Sequence, residues 1–356
     1  MAKVVYVGMS GGVDSSVTAS LLKEQGYTVV GVYMKNWSQD LPGFQCPWKE
    51  DYQDAKRVAV QLGIDFKMYD FEKEYRQKVV DYMIEEYQAG RTPNPDIMCN
   101  QEVKFKLFLN TALEDGADFI ATGHYARILE TGEGKFQLLT GRDANKDQSY
   151  FLYRVTEEAL SRSLMPIGEY EKPKVRELAR KLGLATAEKK DSQGICFVGK
   201  VGIREFLEHF VTTEPGAIIE QNGVTLGQHD GALFYTIGQR HGLDVGGGLP
   251  YYVVGKDMSK NEVYVTTDLQ DGRLWRKELQ LTDVHWINGE PSSAQLSVPS
   301  YQIRTRYRAP LVGICAISKD ARGLKLELSD EVRAITPGQS AVIYDGDRCL
   351  GGGIVV

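Results

Sequence analysis

An unbroken apolar run that ends in a Gly-Gly turn and passes straight into a helix leaves a chain few ways to fold, and Lys3 to Ser16, KVVYVGMSGGVDSS, is such a run. Val4, Val5, Tyr6 and Val7 show no polar alternation, as expected of a parallel strand buried on both faces. Val17 to Gln25 supply a helix that Gly26 stops. Between them, Gly11 and Gly12 let the backbone come close to a ligand, and Asp14, Ser15 or Ser16 is expected to cap the helix. Free N–H groups and the positive end of the helix dipole then face an anion. The competing reading is a tight turn with no ligand.

The spacing is neither that of the Walker loop, Gly-x-x-x-x-Gly-Lys-Ser/Thr, nor that of the dinucleotide fingerprint, Gly-x-Gly-x-x-Gly. Ser10 to Ser16 instead resembles the pyrophosphate loop of the ATP pyrophosphatases, enzymes that split ATP between its α and β phosphates. At 356 residues the chain is long for one core, so two or three domains are expected. A hydrophobic content of 42% with 25% charged residues is that of a soluble globular protein. The N-terminus enters a strand with no basic-then-apolar leader, and no apolar run nears the roughly 18 residues that cross a bilayer. A cytoplasmic protein with no membrane partner is expected. A net charge of −6 argues against indiscriminate nucleic-acid binding but leaves room for a local basic face. Five cysteines, Cys46, Cys99, Cys196, Cys315 and Cys349, form no Cys-x-x-Cys pair. Neither a disulfide framework nor a zinc ribbon is expected, and no metal ligands are assigned.

Thr28 to Met34 is a second strand, completing a β-α-β unit. Met34 falls on the edge where open parallel sheets bind ligands, so it reads either as an adenine contact or as core. Asp51 to Leu62 is an amphipathic helix ended by Gly63, Asp65 to Tyr69 a third strand, and Phe71 to Ala89 a long helix. This alternation predicts a doubly wound sheet. In Arg91 to Asn100 the prolines on either side of Asn94 stiffen the backbone and argue against a helix there, with a helix beginning at Cys99 or Asn100 and running to Leu113. Cys99 then sits near a helix N-terminus, where thiolate is favoured; the alternative is an inert buried cysteine. Phe119 to Thr122 is a strand leading to Gly123-His124-Tyr125, with His124 on the ligand edge or as a structural hydrogen-bonder. Ala126 to Gly141 reads as a hairpin, and Asp143 to Tyr150 as a solvated loop or a row of donors to a polar partner. A helix from Lys172 to Leu182 precedes Asp191 to Phe197, a short loop that carries Cys196.

After Gly199 short strands and frequent glycines take over: Gly216 to Leu226, Ala232 to Ile237, Tyr251 to Val254 and Val263 to Thr267, led by a helix from Ile203 to Phe210. Gly242 to Gly248 is too glycine-rich for a packed element. Strands from Leu279 onward suggest a β-barrel. The expected architecture is a doubly wound parallel sheet over 1–199, a small β-rich domain over 200–275 and a C-terminal β-barrel over 276–356. Arg304, Arg306 and Arg308 alternate with Ile303, Thr305 and Tyr307, so in a strand all three guanidinium groups share one face. That stripe is either a solvated face or a surface for an RNA backbone.

Five motifs in register, Ser10 to Ser15, Thr92-Pro93-Asn94-Pro95-Asp96 with Cys99, Thr122 to Tyr125, Lys146 to Ser149 and Asp191 to Phe197, resemble the bacterial tRNA-specific 2-thiouridylases. The likeness extends through Pro337 to Val342 and Leu350 to Gly353, covering essentially the whole chain. It implies an adenine nucleotide α-hydrolase-like first domain and ATP-dependent thiolation of the wobble uridine of tRNA at C2. The uridine oxygen is adenylated, because hydroxide is a very poor leaving group, and sulfur then arrives from a persulfide on Cys196. Cys99 resolves that persulfide as a Cys99–Cys196 disulfide or helps release hydrosulfide. Gly8, Met9, Ser10, Gly11, Gly12, Val13, Asp14, Ser15, Met34 and Gly123 correspond to ATP contacts. Asn94, Pro95 and Asp96 correspond to the pocket for the flipped base, and His124, Lys146, Asp147, Gln148, Arg306, Tyr307 and Gln339 to tRNA contacts. ATP with magnesium, the anticodon loop of tRNA, and a persulfide donor such as a cysteine desulfurase or a sulfur-relay protein are the implied ligands and partners. An iron–sulfur cluster on Asp96, Cys99 and Cys196 is the less favoured variant. The rival functions are another ATP pyrophosphatase, such as a nitrogen-transferring ligase, and a non-catalytic RNA-binding module.

Overall fold

In the computed structural model, which describes residues 2–43, 45–190, 202–246, 248–292 and 300–356, the first apolar run is strand β1 (Val4–Gly8). Tyr6 faces one side of the sheet and Val5 and Val7 the other, none more than 4% exposed. Helix α1 (Val13–Glu24), strand β2 (Thr28–Lys35), helix α2 (Trp48–Leu62) and strand β3 (Asp65–Asp70) follow, with α1 and α2 packed on the Val5 and Val7 face. Gly63 ends α2 in the left-handed conformation at φ 59°, which a glycine adopts without strain. Two long helices, α3 (72–88) and α4 (95–114), cover the Tyr6 face and lead into β4 (Phe119–Ala121). The hairpin β5 (Ala126–Glu130) and β6 (Phe136–Thr140), the short α5 (Glu157–Ser161), β7 (Ser163–Leu164) and α6 (Lys172–Lys181) come next.

The five strands run parallel in the order β3-β2-β1-β4-β7. Helices leave β1 and β2 on one face and β3 on the other, so the order reverses between β1 and β4. That is where an open α/β sheet carries its ligand crevice.

A second sheet in the order β10-β11-β8-β9 is formed by β8 (Gly216–Glu220), β9 (Thr225–His229), β10 (Tyr252–Asp257) and β11 (Glu262–Thr266), preceded by α7 (Ile203–Leu207). The barrel is an antiparallel ring of β12 (Trp275–Trp286), β15 (Gly323–Arg333), β14 (Val312–Asp320), β13 (Tyr301–Arg304), β16 (Ser340–Asp345) and β17 (Arg348–Val355), closed by β12 against β17. Closure leaves no open edge inside the ring.

Several expectations are corrected. The stretch Gly216 to Leu226 is split by a turn at Gly223, φ +86°, into two antiparallel strands. Ala232 to Ile237 is not a strand: Ala232–Phe234 form one tight 3-10 turn that puts Ala232 and Leu233 into the core. The expected hairpin β5–β6 forms, and its β6 also pairs with β17 and extends the barrel sheet. The arginine stripe does not exist, since β13 ends at Arg304 and the chain then turns, with Arg308 at φ +62°.

The polar run Asp143 to Tyr150 is not a solvated loop. Asp147 is 3% exposed; it accepts from the backbone N–H groups of Gly141 and Ser149, from Ser149 Oγ, and from Arg304 Nη1 of the barrel at 2.9 Å. Tyr150 Oη donates to Ser340 O, and Tyr344 Oη lies 3.2 Å from Ser149 Oγ. Removing one member of a buried ion pair leaves its partner uncompensated, a loss of roughly 3–5 kcal/mol. Asp147→Ala is therefore expected to destabilise the chain by about that much, read as a lower urea midpoint; an unchanged midpoint would mean that the pair does not hold the barrel to the first domain.

Candidate active site

The turn after β1 is built to leave backbone donors open. Gly12 is the N-cap of α1 and makes no side-chain cap bond, which corrects the expected cap at Asp14, Ser15 or Ser16. Ser15 Oγ and Ser16 Oγ both donate to Gly12 O instead, at 3.2 and 2.8 Å, and Thr186 Oγ1 donates to Ser16 Oγ. The serines thus occupy a carbonyl and leave the first-turn N–H groups with no side-chain cap. Met9 is anchored by its N–H to Val32 O at 2.8 Å, and Ser10 N–H reaches Ser15 Oγ. Gly11 sits at φ +71° against the Asp51 backbone; a Cβ there would lie 2.4 Å from Asp51 O.

The other predicted nucleotide residues converge on the same turn. A Cβ on Gly123 would lie 2.8 Å from Ser15 N, so the loop after β4 touches the first turn of α1. A Cβ on Gly8 would lie 3.0 Å from Met34 Cε, which places Met34 beside the strand end, 5% exposed. Val13 is buried in the core on the α1 face. Two residues past Met34, Asn36 is 1% exposed and both of its amide atoms lack a hydrogen-bond partner among the described residues.

Sequence reasoning missed Lys172. Its Nζ donates to both Asp14 carboxylate oxygens at 2.8 Å, and Tyr125 Oη donates to Asp14 Oδ1 at 2.8 Å. Lys172 follows Asp14 by 158 positions, so no local pattern pairs the two.

Asn94 caps α4: its Oδ1 accepts from the N–H groups of Asp96 and Ile97 at 3.2 and 3.4 Å, and Pro95 is the first helical residue. The helix therefore starts before Cys99, contrary to the expectation from the prolines, because proline at N1 forfeits no hydrogen bond. Cys99 lies in the second turn with no exposed surface. It is nine residues before Phe108, which flanks Gly8, so it stands well toward the start of the helix from the end of β1. Since α4 returns the chain to the start of β4, that direction is toward the ligand edge. Cys196 lies outside the described residues.

The segment before α4 is held by both other domains. Thr92 N–H donates to Pro337 O, Gln339 Nε2 donates to Thr92 O at 2.9 Å, and Thr92 Oγ1 lies 3.2 Å from Thr236 Oγ1. Arg306 Nη2 donates to Ile237 O, Ala334 O and Thr336 Oγ1, while Tyr307 packs on Phe151 with ring centres 4.5 Å apart. Gln148 exchanges bonds with the Tyr125 backbone, and Lys146 N–H closes a turn on Asp143 O. Of the residues expected at tRNA, then, Asp147, Gln148, Arg306, Tyr307 and Gln339 all make contacts within the chain. His124 is buried, its Nδ1 2.8 Å from Thr122 Oγ1 and its Nε2 3.4 Å from Lys104 Nζ.

Compared with known proteins, residues 3–200 match the family described as the tRNA methyl transferase HUP domain, 204–267 the tRNA methyl transferase PRC-barrel domain and 276–355 the aminomethyltransferase beta-barrel domain. Over 352 residues the chain is 47% identical to the tRNA-specific 2-thiouridylase of Shouchella clausii, covering 99% of this chain and 96% of that one. It is 48% identical over 353 residues to the protein of the same name from Bacillus subtilis, covering 99% and 94%. Among solved structures, a 4-thiouridine synthetase–RNA complex with bound ATP is similar at 20% identity and a TM-score of 0.39, over 58% of this chain and 50% of that one.

Burial, and then the Lys104 ammonium, hold the His124 imidazole well below its ordinary pKa. The folded chain keeps it neutral, whereas the unfolded chain protonates it near pH 6.5. Its contribution to stability is therefore intact above that value and is lost as pH falls below it. His229 and His285 are shifted the same way by burial. His124→Gln is expected to flatten, without abolishing, the fall in urea midpoint between about pH 7 and pH 5; an equally steep fall in the variant would show that His124 is not held neutral.

Proposed function

The chain belongs to the tRNA-specific 2-thiouridylase family, and on that premise we propose that it replaces the C2 oxygen of the wobble uridine of tRNA by sulfur at the expense of ATP. The full-length relatives carry the assignment to tRNA 2-thiolation, because their names rest on 99% of this chain. The observation that supports ATP chemistry is the uncapped first turn of α1 at the reversal of strand order, with Gly123 closing it from β4.

The open amides suit phosphate oxygens, and the Gly-Gly turn lets them come within bonding distance. Magnesium is read as part of the nucleotide, held by its phosphates, and among the described residues no group of three or more His, Cys, Asp or Glu is placed to hold a metal ion. Attack of uridine O2 on the α-phosphorus forms an O–P bond as pyrophosphate leaves with the electron pair of the broken one. The terminal sulfur of a Cys196 persulfide then adds to C2 and AMP departs. Cys99 thiolate attacks Cys196 Sγ, leaving a Cys99–Cys196 disulfide and freeing the thiocarbonyl; a dithiol reductant must reset the pair before the next turnover. In the variant route Cys99 attacks the persulfide first and releases hydrosulfide, with the same disulfide as product. The sulfur comes from a persulfide donor protein, and this bare-thiol route is preferred to a cluster, whose ligation takes four cysteines as a rule.

The test is nucleoside mass spectrometry of tRNA incubated with the protein, ATP, magnesium and a persulfide source. One sulfur-for-oxygen exchange is expected at the wobble base. Cys99→Ser and Cys196→Ser are each expected to abolish it while a single turnover of tRNA-dependent pyrophosphate release survives, since adenylation uses neither thiol. Full product from both variants would favour a nitrogen-transferring ligase or another route, and no pyrophosphate from the wild type would remove ATP chemistry altogether.

A further inference from the structure

Lys172 opens α6 and so arrives at the crevice from an element outside the pyrophosphate-loop motif. Its side chain is 9% exposed, and its ammonium bridges both oxygens of Asp14 in the first turn of α1 while lying 5.6 Å from the centre of the Tyr125 ring. Asp143 Oδ2 accepts the Lys172 backbone N–H at 2.9 Å, which fixes where α6 begins. A cation this buried is costly unless its charge is matched. The matching carboxylate is itself shared with Tyr125 Oη and stands at the end of a helix whose amides already favour an anion.

We propose that Lys172 binds the β- and γ-phosphates of ATP, with Asp14 positioning its ammonium beside the open amides of α1. The inference rests on the reading of this turn as the ATP site. An ammonium is a compact charge on a long stem with three donors, so it can turn from a carboxylate to a phosphate without backbone movement. When the bond from the α-phosphorus to the bridging oxygen breaks, the electron pair goes to that oxygen of pyrophosphate. Charge grows there in the transition state, and a fixed cation stabilises it.

The experiment is equilibrium binding of ATP, inorganic pyrophosphate and AMP, in the absence of tRNA, to the full chain and to Lys172→Met and Lys172→Arg. Lys172→Met is expected to weaken ATP and pyrophosphate roughly tenfold to a hundredfold, the range of a charge-assisted bond. AMP, which lacks the β- and γ-phosphates, is expected to bind unchanged, and Lys172→Arg to recover part of the loss. Equal losses for all three ligands would show that the lysine only supports the fold, and no loss for any would show that it does not touch the phosphates. Either result overturns the assignment while leaving the ATP site standing. A wild-type chain that bound neither ATP nor pyrophosphate would instead remove the ATP reading, and Lys172 with it.

Discussion

The reversal of strand order between β1 and β4 is the constraint on which the rest depends. Because the helices after β1 and after β3 lie on opposite faces, the sheet opens a gap between β1 and β4, and α1 begins there. A helix start in a gap needs acceptors for its first amides. The chain withholds the obvious ones: Ser15 and Ser16 turn back onto Gly12 O, and Asp14 is engaged by Lys172 and Tyr125. The first turn of α1 thus keeps no side-chain cap, and Gly123 packs so closely on Ser15 N that a Cβ there would not fit.

The second layer of the design is how the barrel is tied to that gap. The ties are polar and run through a few residues: Asp147 to Arg304, Tyr150 to Ser340, Gln339 to Thr92, and Arg306 to Ile237 and Thr336. Burial lowers the affinity of the Arg306 guanidinium for its proton, yet it keeps three acceptors, so this arginine works first as a clamp between the central domain and the barrel. The Thr92 bonds to Pro337 O and Gln339 Nε2 hold the backbone just before α4.

What sequence could show depended on whether the information was local. Val4 to Val7, the Gly63 stop and the strand–helix alternation gave the doubly wound sheet, because burial on two faces and left-handed glycine leave marks within a few residues. The start of α4 is also legible, since Asn94-Pro95 is a cap followed by proline at N1, a position where proline opens a helix rather than breaking it. The arginine alternation misled because period two holds only while a strand lasts, and β13 stops at Arg304. Asp147 with Arg304 and Asp14 with Lys172 join positions 157 and 158 apart, and only the folded chain brings them together. The motif residues Gly8 to Ser15, Met34 and Gly123 do meet at one turn; Cys99 was placed by its helix, whereas Cys196 falls outside the described residues.

Complete burial of Cys99 sets a condition on any reaction at its sulfur. A thiol with no exposed surface is shielded from oxidants, but it cannot meet a second sulfur or a flipped base until its cover yields. The start of α4 is held by the Asn94 cap, the Thr92 bonds to Pro337 and Gln339, and Asn100 Nδ2 to Phe151 O. These are neutral hydrogen bonds, each contributing about 0.5–1.5 kcal/mol net, so parting several of them costs only a few kcal/mol. Ile97, Val103 and Phe108 share the buried core cluster with Cys99. Two of the bonds, Thr92 N–H to Pro337 O and Gln339 Nε2 to Thr92 O, tie the start of α4 to the barrel.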